Sequence, residues 1–469
     1  MPDTTHPTAP PAQRTAALPV RVTLAGAPMS MLQSLAAARC NVLSIIPEIA
    51  TRDPIVSGRT GTRWHMITEP ETIRRVVLEA VDAYPKSTVT KTLLRPAIGE
   101  SLFIAEGAHW RWQRRAAAPA FTHRNIQALT PVMTQAAARC ADRVAAAGPR
   151  AVNLLDEMIE TTFDVISDVT FSGDEGFDRR AVHDAVETYV AGAGKISLFD
   201  VLNFPDWIPR PERAFNRATT EAMHAVADKA IDDRITRGAP DGVPDLLDLL
   251  MAGEDPETGR KMNADELRDN LLTFIVAGHE TTAVTLAWSF YLCAFDAAVQ
   301  ARARDEIRAR CPDGQVRGED VAHLPFVRAI VEEALRLYPP AGMVSRTALK
   351  PDTLCGREVR AGDTVMIPIY ALHRHHGLWS EPDAFRPERW LSGEKPPRYA
   401  YLPFGDGPRI CIGASFAMTE AIVILATLLA RFRFRAVPGK VPDPVMILTL
   451  RPEGGVWLEA EPVEASPAP

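Results

Sequence analysis

Cys411 is set in the run Phe404-Gly405-Asp406-Gly407-Pro408-Arg409-Ile410-Cys411-Ile412-Gly413. A thiolate that ligates a metal while shielded from water needs a tight loop, hydrogen bonds to sulfur, and room for a flat macrocycle. Gly405 and Gly407 permit a sharp turn, Phe404 can shield the sulfur, and Gly413 lets the backbone lie close beneath a planar ligand. The apolar run after Gly413 reads as a helix, so Cys411 stands near a helix N-terminus, where unpaired amides and the dipole favour a thiolate. A structural cysteine in a Gly-rich turn is the bland alternative. It leaves the spacing of Phe404, Gly407, Arg409 and Gly413 unexplained.

Phe-x-x-Gly-x-Arg-x-Cys-x-Gly is matched here at every specified position, and in this the chain resembles the cytochrome P450 family. The resemblance covers about Gly26 to Glu459. It implies haem b, iron protoporphyrin IX, with Cys411 as axial thiolate and metal ligand and with Phe404 and Gly413 beside it. Arg409 is placed to reach a haem propionate as a charge-assisted donor.

Ala277-Gly278-His279-Glu280-Thr281-Thr282 resembles the family's acid–alcohol segment, on the helix that crosses the distal face of the haem. Splitting dioxygen requires protons, delivered by groups that relay them from solvent without flooding the site. Glu280 and Thr281 are the candidate catalytic residues for that relay, with Ala277 against the cofactor. Gly278 removes a side chain where the helix nears the ligand, and Thr281 can bond back to the Ala277 carbonyl, opening the helix for a water. A Thr and a Glu that merely satisfy one another in a buried helix would look the same in isolation. The position upstream of the cysteine loop favours the relay, and family members that use peroxide typically lack this pair.

Glu333 and Arg336 lie at i and i+3 on one helix face and can pair. The resemblance adds Arg389, from Pro387-Glu388-Arg389-Trp390, as third member of a structural triad beneath the haem. It also nominates Trp110, Arg114 and Arg346 as propionate contacts. Arg111 and Arg115 read either as solvated charges or as contacts for an acidic electron carrier. By position, the substrate pocket is expected at Leu102, Phe103, Ile196 to Phe199, Phe274, Met343 and Val344. These are mostly apolar, which favours a lipophilic substrate such as a fatty acid, terpenoid, steroid or carotenoid.

The elements that must position these groups are mainly helical. Ile126 to Ala147 stops at Gly148, Val152 to Thr170 repeats apolar residues at helical spacing, and Glu212 to Arg237 ends at Gly238. Asn263 and Glu266 form a variant capping box that opens the relay helix. Further helices are expected near Asp296 to Arg310 and Pro325 to Tyr338, and a helical pattern runs from Glu69 to Glu79. Strands are expected at Trp64 to Thr68 and Thr364 to Ile367, with a hairpin where Gly454-Gly455 separates Met446 to Leu450 from Val456 to Leu458. The fold class is therefore mainly α with small peripheral β-sheets, a cytochrome P450 fold in a single large domain. Residues 21–460 form that domain, 1–20 read as a flexible Pro/Thr-rich leader, and 461–469 as a flexible tail.

With 46% apolar and 24% charged residues the chain can bury a sizeable core. Its formal charge of −7, without a long basic run, argues against nucleic acid. The six cysteines are scattered, with no Cys-x-x-Cys pair and no secretory signal, as in a reducing cytoplasm. Leu271 to Phe295 is about as long as a membrane span, but His279, Glu280, Thr281 and Thr282 near its middle argue for a buried helix instead. Ala421 to Leu429 is too short to span, so no membrane span is expected.

The resemblance implies an oxidoreductase that inserts one atom of O2, by hydroxylation or epoxidation. No flavin or iron–sulfur module is appended, so NAD(P)H electrons are expected through a ferredoxin and its reductase, or a flavodoxin. A monomer is expected. A haem-thiolate sensor or carrier without turnover is the competing class, and it has no need of Glu280 and Thr281.

Overall fold

The computed structural model describes residues 18–171, 188, 211–238, 243–393 and 396–463. The pocket expectation at Ile196 to Phe199 lies outside them, as do most of the leader and the chain beyond 463.

Helices dominate where the sequence repeats apolar residues at helical spacing. They are α1 (Met31–Cys40), α2 (Pro70–Arg74), α3 (Thr88–Ile98), α4 (Gly107–Ala117), α5 (His123–Ala147) and α6 (Leu154–Thr170). Then follow α7 (Pro211–Arg237), α8 (Leu246–Ala252), α9 (Ala264–Phe295), α10 (Ala297–Arg310), α11 (Pro325–Leu337), α12 (Ile369–Leu372) and α13 (Ala414–Arg431). The expected helix over Glu69 to Glu79 is split: α2 is followed by a π-helical turn, Arg75–Glu79.

α9 is the axis of the fold. Both bonds of its capping box form between Asn263 and Glu266, and the helix packs against α6, α7, α11 and α13. α9 and α13 are both long and apolar enough to cross a membrane, and both are mostly buried inside the fold. α13 is longer than the Ala421 to Leu429 run, because Ala414 to Glu420 continue the same helix on from the cysteine loop.

The sheets lie at the edges. Strands β1 (Ile55–Thr60), β2 (Thr62–Ile67), β7 (Thr364–Ile367) and β4 (Val344–Thr347) form one sheet in the order β1-β2-β7-β4. A second has the order β3 (Val152–Asn153), β11 (Trp457–Pro462), β8 (Phe432–Ala436). Two pairs remain: β5 (Asp352–Leu354) with β6 (Arg357–Val359), and β9 (Asp443–Met446) with β10 (Leu450–Glu453).

The expected hairpin at Gly454-Gly455 is not formed. β10 pairs with β9, bringing Leu450 opposite Met446, whereas β11 leaves to pair with β3 and β8. Asn153 is the reason: its side-chain oxygen accepts from the Val456 amide at 2.9 Å, and a Cβ on Gly455 would lie 2.5 Å from it. The two glycines turn the chain between sheets. At the chain's start, Val20 donates its amide to the Tyr291 hydroxyl at 3.1 Å and accepts from Tyr338 at 2.6 Å.

Beneath the cysteine loop lies a buried ion network. Glu333, on α11, accepts from Arg336 Nε at 2.9 Å and Nη2 at 2.8 Å, and from Arg389 Nε at 3.0 Å. The Trp390 indole and the Arg386 amide donate to it as well, each at 3.0 Å. Burial alone would raise this carboxyl, but Arg336 and Arg389 bring it below its ordinary value. Arg336 also donates to the carbonyls of His373, Pro382 and Ala384, so the network fixes the coil that leads to the cysteine loop.

His373 continues that link. Its Nδ1 donates to the Arg336 carbonyl at 3.2 Å and its Nε2 accepts from the Leu402 amide at 2.8 Å, two residues before Phe404. Burial, with Arg336 beside it, pushes its pKa from 6.5 down to about 3.

Two outcomes follow for stability. Glu333→Ala leaves two guanidinium groups uncompensated, which costs about 3–5 kcal/mol, so little haem-loaded protein is expected; normal haem content would contradict the network's role. Because His373 is neutral when folded, its contribution is whole above pH 6.5 and is lost as pH falls towards about 3. His373→Gln, which can make both hydrogen bonds without titrating, should flatten that acid limb in denaturant titrations, and an unchanged limb would show that other groups set it.

Candidate active site

The cysteine loop is held from within. The Cys411 amide donates to the Phe404 carbonyl at 2.9 Å, and Gly405 and Gly407 take φ of +70° and +71°. Gly407 is required for a second reason, since a Cβ there would lie 2.4 Å from the Val77 carbonyl oxygen. The Gly413 amide donates to the Cys411 sulfur as α13 begins.

Cys411 is reachable by solvent, yet burial pushes its thiol up, opposed by the Gly413 amide and by Arg114. Cys411 stands at the start of α13, as the sequence suggests, and burial acts against the thiolate that a helix N-terminus favours.

α9 exposes a narrow strip in mid-helix. Ala277 is exposed and Val276, Gly278 and Thr281 are half-buried, while Phe274, Ile275, His279, Glu280 and Thr282 are buried. Thr281 donates its hydroxyl to the Ala277 carbonyl at 2.7 Å, the back-bond expected of it. The bareness of Gly278 also serves close helix packing, since a Cβ there would meet Ile166 of α6 at 3.2 Å.

Glu280 does not bond to Thr281. Its Oε1 accepts from the Thr449 hydroxyl at 2.8 Å and lies 3.3 Å from Arg451 Nη1. The acid is therefore tied to the β9–β10 hairpin. A second carboxyl, Glu420 of α13, is buried without a hydrogen-bond partner; burial pushes it well up, with the Thr282 hydroxyl near enough to oppose that.

Cations gather beside the loop. Arg114 is lowered by burial, which the Cys411 sulfur opposes, and no carboxylate among the described residues counters that burial. Arg346, on β4, donates to the Ser345 carbonyl at 3.0 Å and feels Glu106. Arg409 is engaged within the protein: it pairs with Glu106, donates to the Ala105 carbonyl at 2.7 Å and stacks 4.2 Å over the buried Trp110 ring. The Lys86 backbone amide and the Lys91 ammonium reach Glu106 as well.

The expected pocket residues are not equivalent. Leu102 is buried and held by the Asn270 side chain at 2.9 Å, and Phe274 is buried edge-on to Phe121 at 5.1 Å. Met343 and Val344 are half-buried. Phe103 is exposed, with its ring under the Lys86 ammonium at 4.0 Å.

Lys86, Glu106, Thr449, Arg451 and Glu420 were not legible as site residues. The acid inside the apolar run Phe416 to Leu429 is a usable signal for Glu420. The others depend on contacts far apart in sequence.

A reachable sulfur at a helix start, an open strip on the central helix and an excess of cations fit a flat group bearing a metal and two carboxylates. At Gly413 a Cβ would find its nearest neighbour, Phe121, at 4.0 Å, so that wall is bare. These are the properties of a haem-thiolate oxidoreductase. The family model described as Cytochrome P450 matches residues 46–459, and the chain belongs to the cytochrome P450 family. It is similar to cyclooctat-9-en-7-ol 5-monooxygenase of Streptomyces melanosporofaciens, 33% identical over 85% of this chain and 86% of that one. Cytokinin hydroxylase of Arabidopsis thaliana is 30% identical over 92% and 88%. The crystal structure of the cytochrome P450DA haem domain superposes with a TM-score of 0.77 at 27% identity, covering 88% of this chain and 90% of that one. The protein is thus a cytochrome P450 monooxygenase, of a family that holds haem through a cysteine thiolate.

The Glu280 attachment can be measured by a double-mutant cycle of Glu280→Gln and Arg451→Leu in unfolding experiments. Since Arg451 keeps 29% of its side chain exposed, solvent screens the pair and a coupling of about 1 kcal/mol is expected. A coupling of zero would mean that the hairpin does not hold the acid by charge.

Proposed function

We propose that this chain activates O2 with two externally supplied electrons and inserts one oxygen atom into a lipophilic organic substrate, by hydroxylation or epoxidation. When bound, haem b supplies the iron at which dioxygen is reduced. Cys411 would ligate that iron, Phe404 and Gly413 would line its proximal side, and Trp110, Arg114, Arg346 and Arg409 would face the propionates. Ala277 would pack against the distal face.

The single observation that carries the reading is the Thr281 hydroxyl, bonded back to Ala277 on the one open strip of α9, with the buried Glu280 carboxylate adjacent in sequence. Thr281 would hold a proton-bearing hydroxyl on the distal side, and Glu280, adjacent in sequence, would be the proton source behind it. The surrounding apolar side chains exclude bulk water, and Glu333 with Arg336 and Arg389 keeps the proximal coil rigid.

A fatty acid, terpenoid, steroid or carotenoid suits the apolar Leu102, Phe274, Met343 and Val344. Similarity to an enzyme named for cyclooctat-9-en-7-ol supports the terpenoid among them. Electrons come from NAD(P)H through a ferredoxin and its reductase or a flavodoxin, docking on the cysteine side of a monomeric, cytoplasmic protein. A sensor or carrier would not require the relay pair.

Thr281→Ala tests the reading. With a surrogate ferredoxin system and a substrate that converts the haem from low to high spin, the variant should consume NADH while diverting most of it to hydrogen peroxide. Coupling equal to that of the parent protein would remove Thr281 from the relay.

A further inference from the structure

Glu106 is the residue just before α4, and three separate segments converge on it. Its Oε1 accepts from the Lys86 amide at 2.9 Å and lies 3.4 Å from Lys91 Nζ. Its other oxygen pairs with Arg409 of the cysteine loop. Arg346 is drawn to the same place, since Lys86 and Arg346 form an antiparallel bridge and the Glu106 charge acts on the Arg346 guanidinium. Ser87 and Ser345 share a 2.6 Å hydrogen bond that locks the two segments together.

Two cations, Lys91 and Arg409, thus pair with this carboxylate directly, and two more, Lys86 and Arg346, stand near enough to feel its charge. Asp82, the next acid to act on Arg409, is itself engaged with Arg111 at 2.7 Å. The surplus is costly. Burial, then Arg409 and Arg346, push the Lys86 ammonium well below its ordinary value, and its Nζ is turned onto the Phe103 carbonyl and ring. Arg346 is likewise lowered by burial. One carboxylate cannot balance such a set; an incoming group with two carboxylates can.

We propose that Glu106 is a positioning residue that stands in for the haem propionates. It gathers Lys86, Lys91, Arg346 and Arg409 around the anion site before the cofactor arrives, then competes with the propionates for the same donors. It thereby sets how tightly haem is held. The inference rests on the reading that Arg346 and Arg409 face the propionates, and it adds Lys86 and Lys91 to that set.

Glu106→Gln separates this from a purely structural role, because the amide oxygen can still accept from the Lys86 amide while the charge is lost. In the haem-free protein the four cations then repel without a counter-charge, so thermal unfolding should begin at a lower temperature. In the haem-loaded protein the competitor is gone, and transfer of haem to excess apomyoglobin should slow several-fold. Glu106→Asp should release haem at the parent rate. If the haem-free Glu106→Gln protein does not fold, the variant is produced with haem supplied and its transfer of haem to apomyoglobin is measured with the same criterion.

Haem release from the glutamine variant as fast as from the parent, or faster, overturns the inference. The propionate reading fails separately: it is overturned if Arg346→Leu and Arg114→Leu retain haem as firmly as the parent protein does.

Discussion

A sulfur that is to carry negative charge away from bulk water must have positive charge brought to it. At Cys411 burial pushes the thiol up, and the Gly413 amide and Arg114 oppose it. Much of the architecture serves to hold this loop still. Gly407 lets it turn against the Val77 carbonyl, and His373 and Tyr401 tie the preceding coil to α11. Glu333, satisfied by five donors, anchors that coil from below.

The same charge logic separates two functions in space. On the proximal side Glu333 is overmatched by two guanidinium groups and fully hydrogen-bonded, so it stays fixed and ionised. Glu280 has one hydroxyl and one partly exposed guanidinium, a looser arrangement. The proposed relay would need that difference, since a carboxylate that exchanges protons cannot be held as firmly as one that does not.

What was legible in the sequence was whatever is local in the chain. The cysteine loop spans ten residues, the relay six, and the Glu333–Arg336 pair one helical turn, so each is visible as a local pattern to which the family resemblance gives a role. Asn263 with Glu266, and the Gly148 and Gly238 stops, are similarly local. What failed depends on distant partners. Gly454-Gly455 has the composition of a hairpin, but Asn153 decides where the chain goes. Gly278 lies against Ile166 of α6 as well, a packing role set by another helix. Arg409 meets Glu106 across more than three hundred residues, and Glu280 meets Thr449 across 169, pairings that no periodicity encodes.

The account stands on Cys411 as the thiolate that ligates haem iron, and the reduced carbon-monoxide difference spectrum of the parent protein and Cys411→His tests it most directly. The parent should show the red-shifted Soret band of thiolate ligation. The variant should lose that band while the cations that face the propionates still retain haem. A parent spectrum without the thiolate band, or a variant that keeps it, would contradict the assignment.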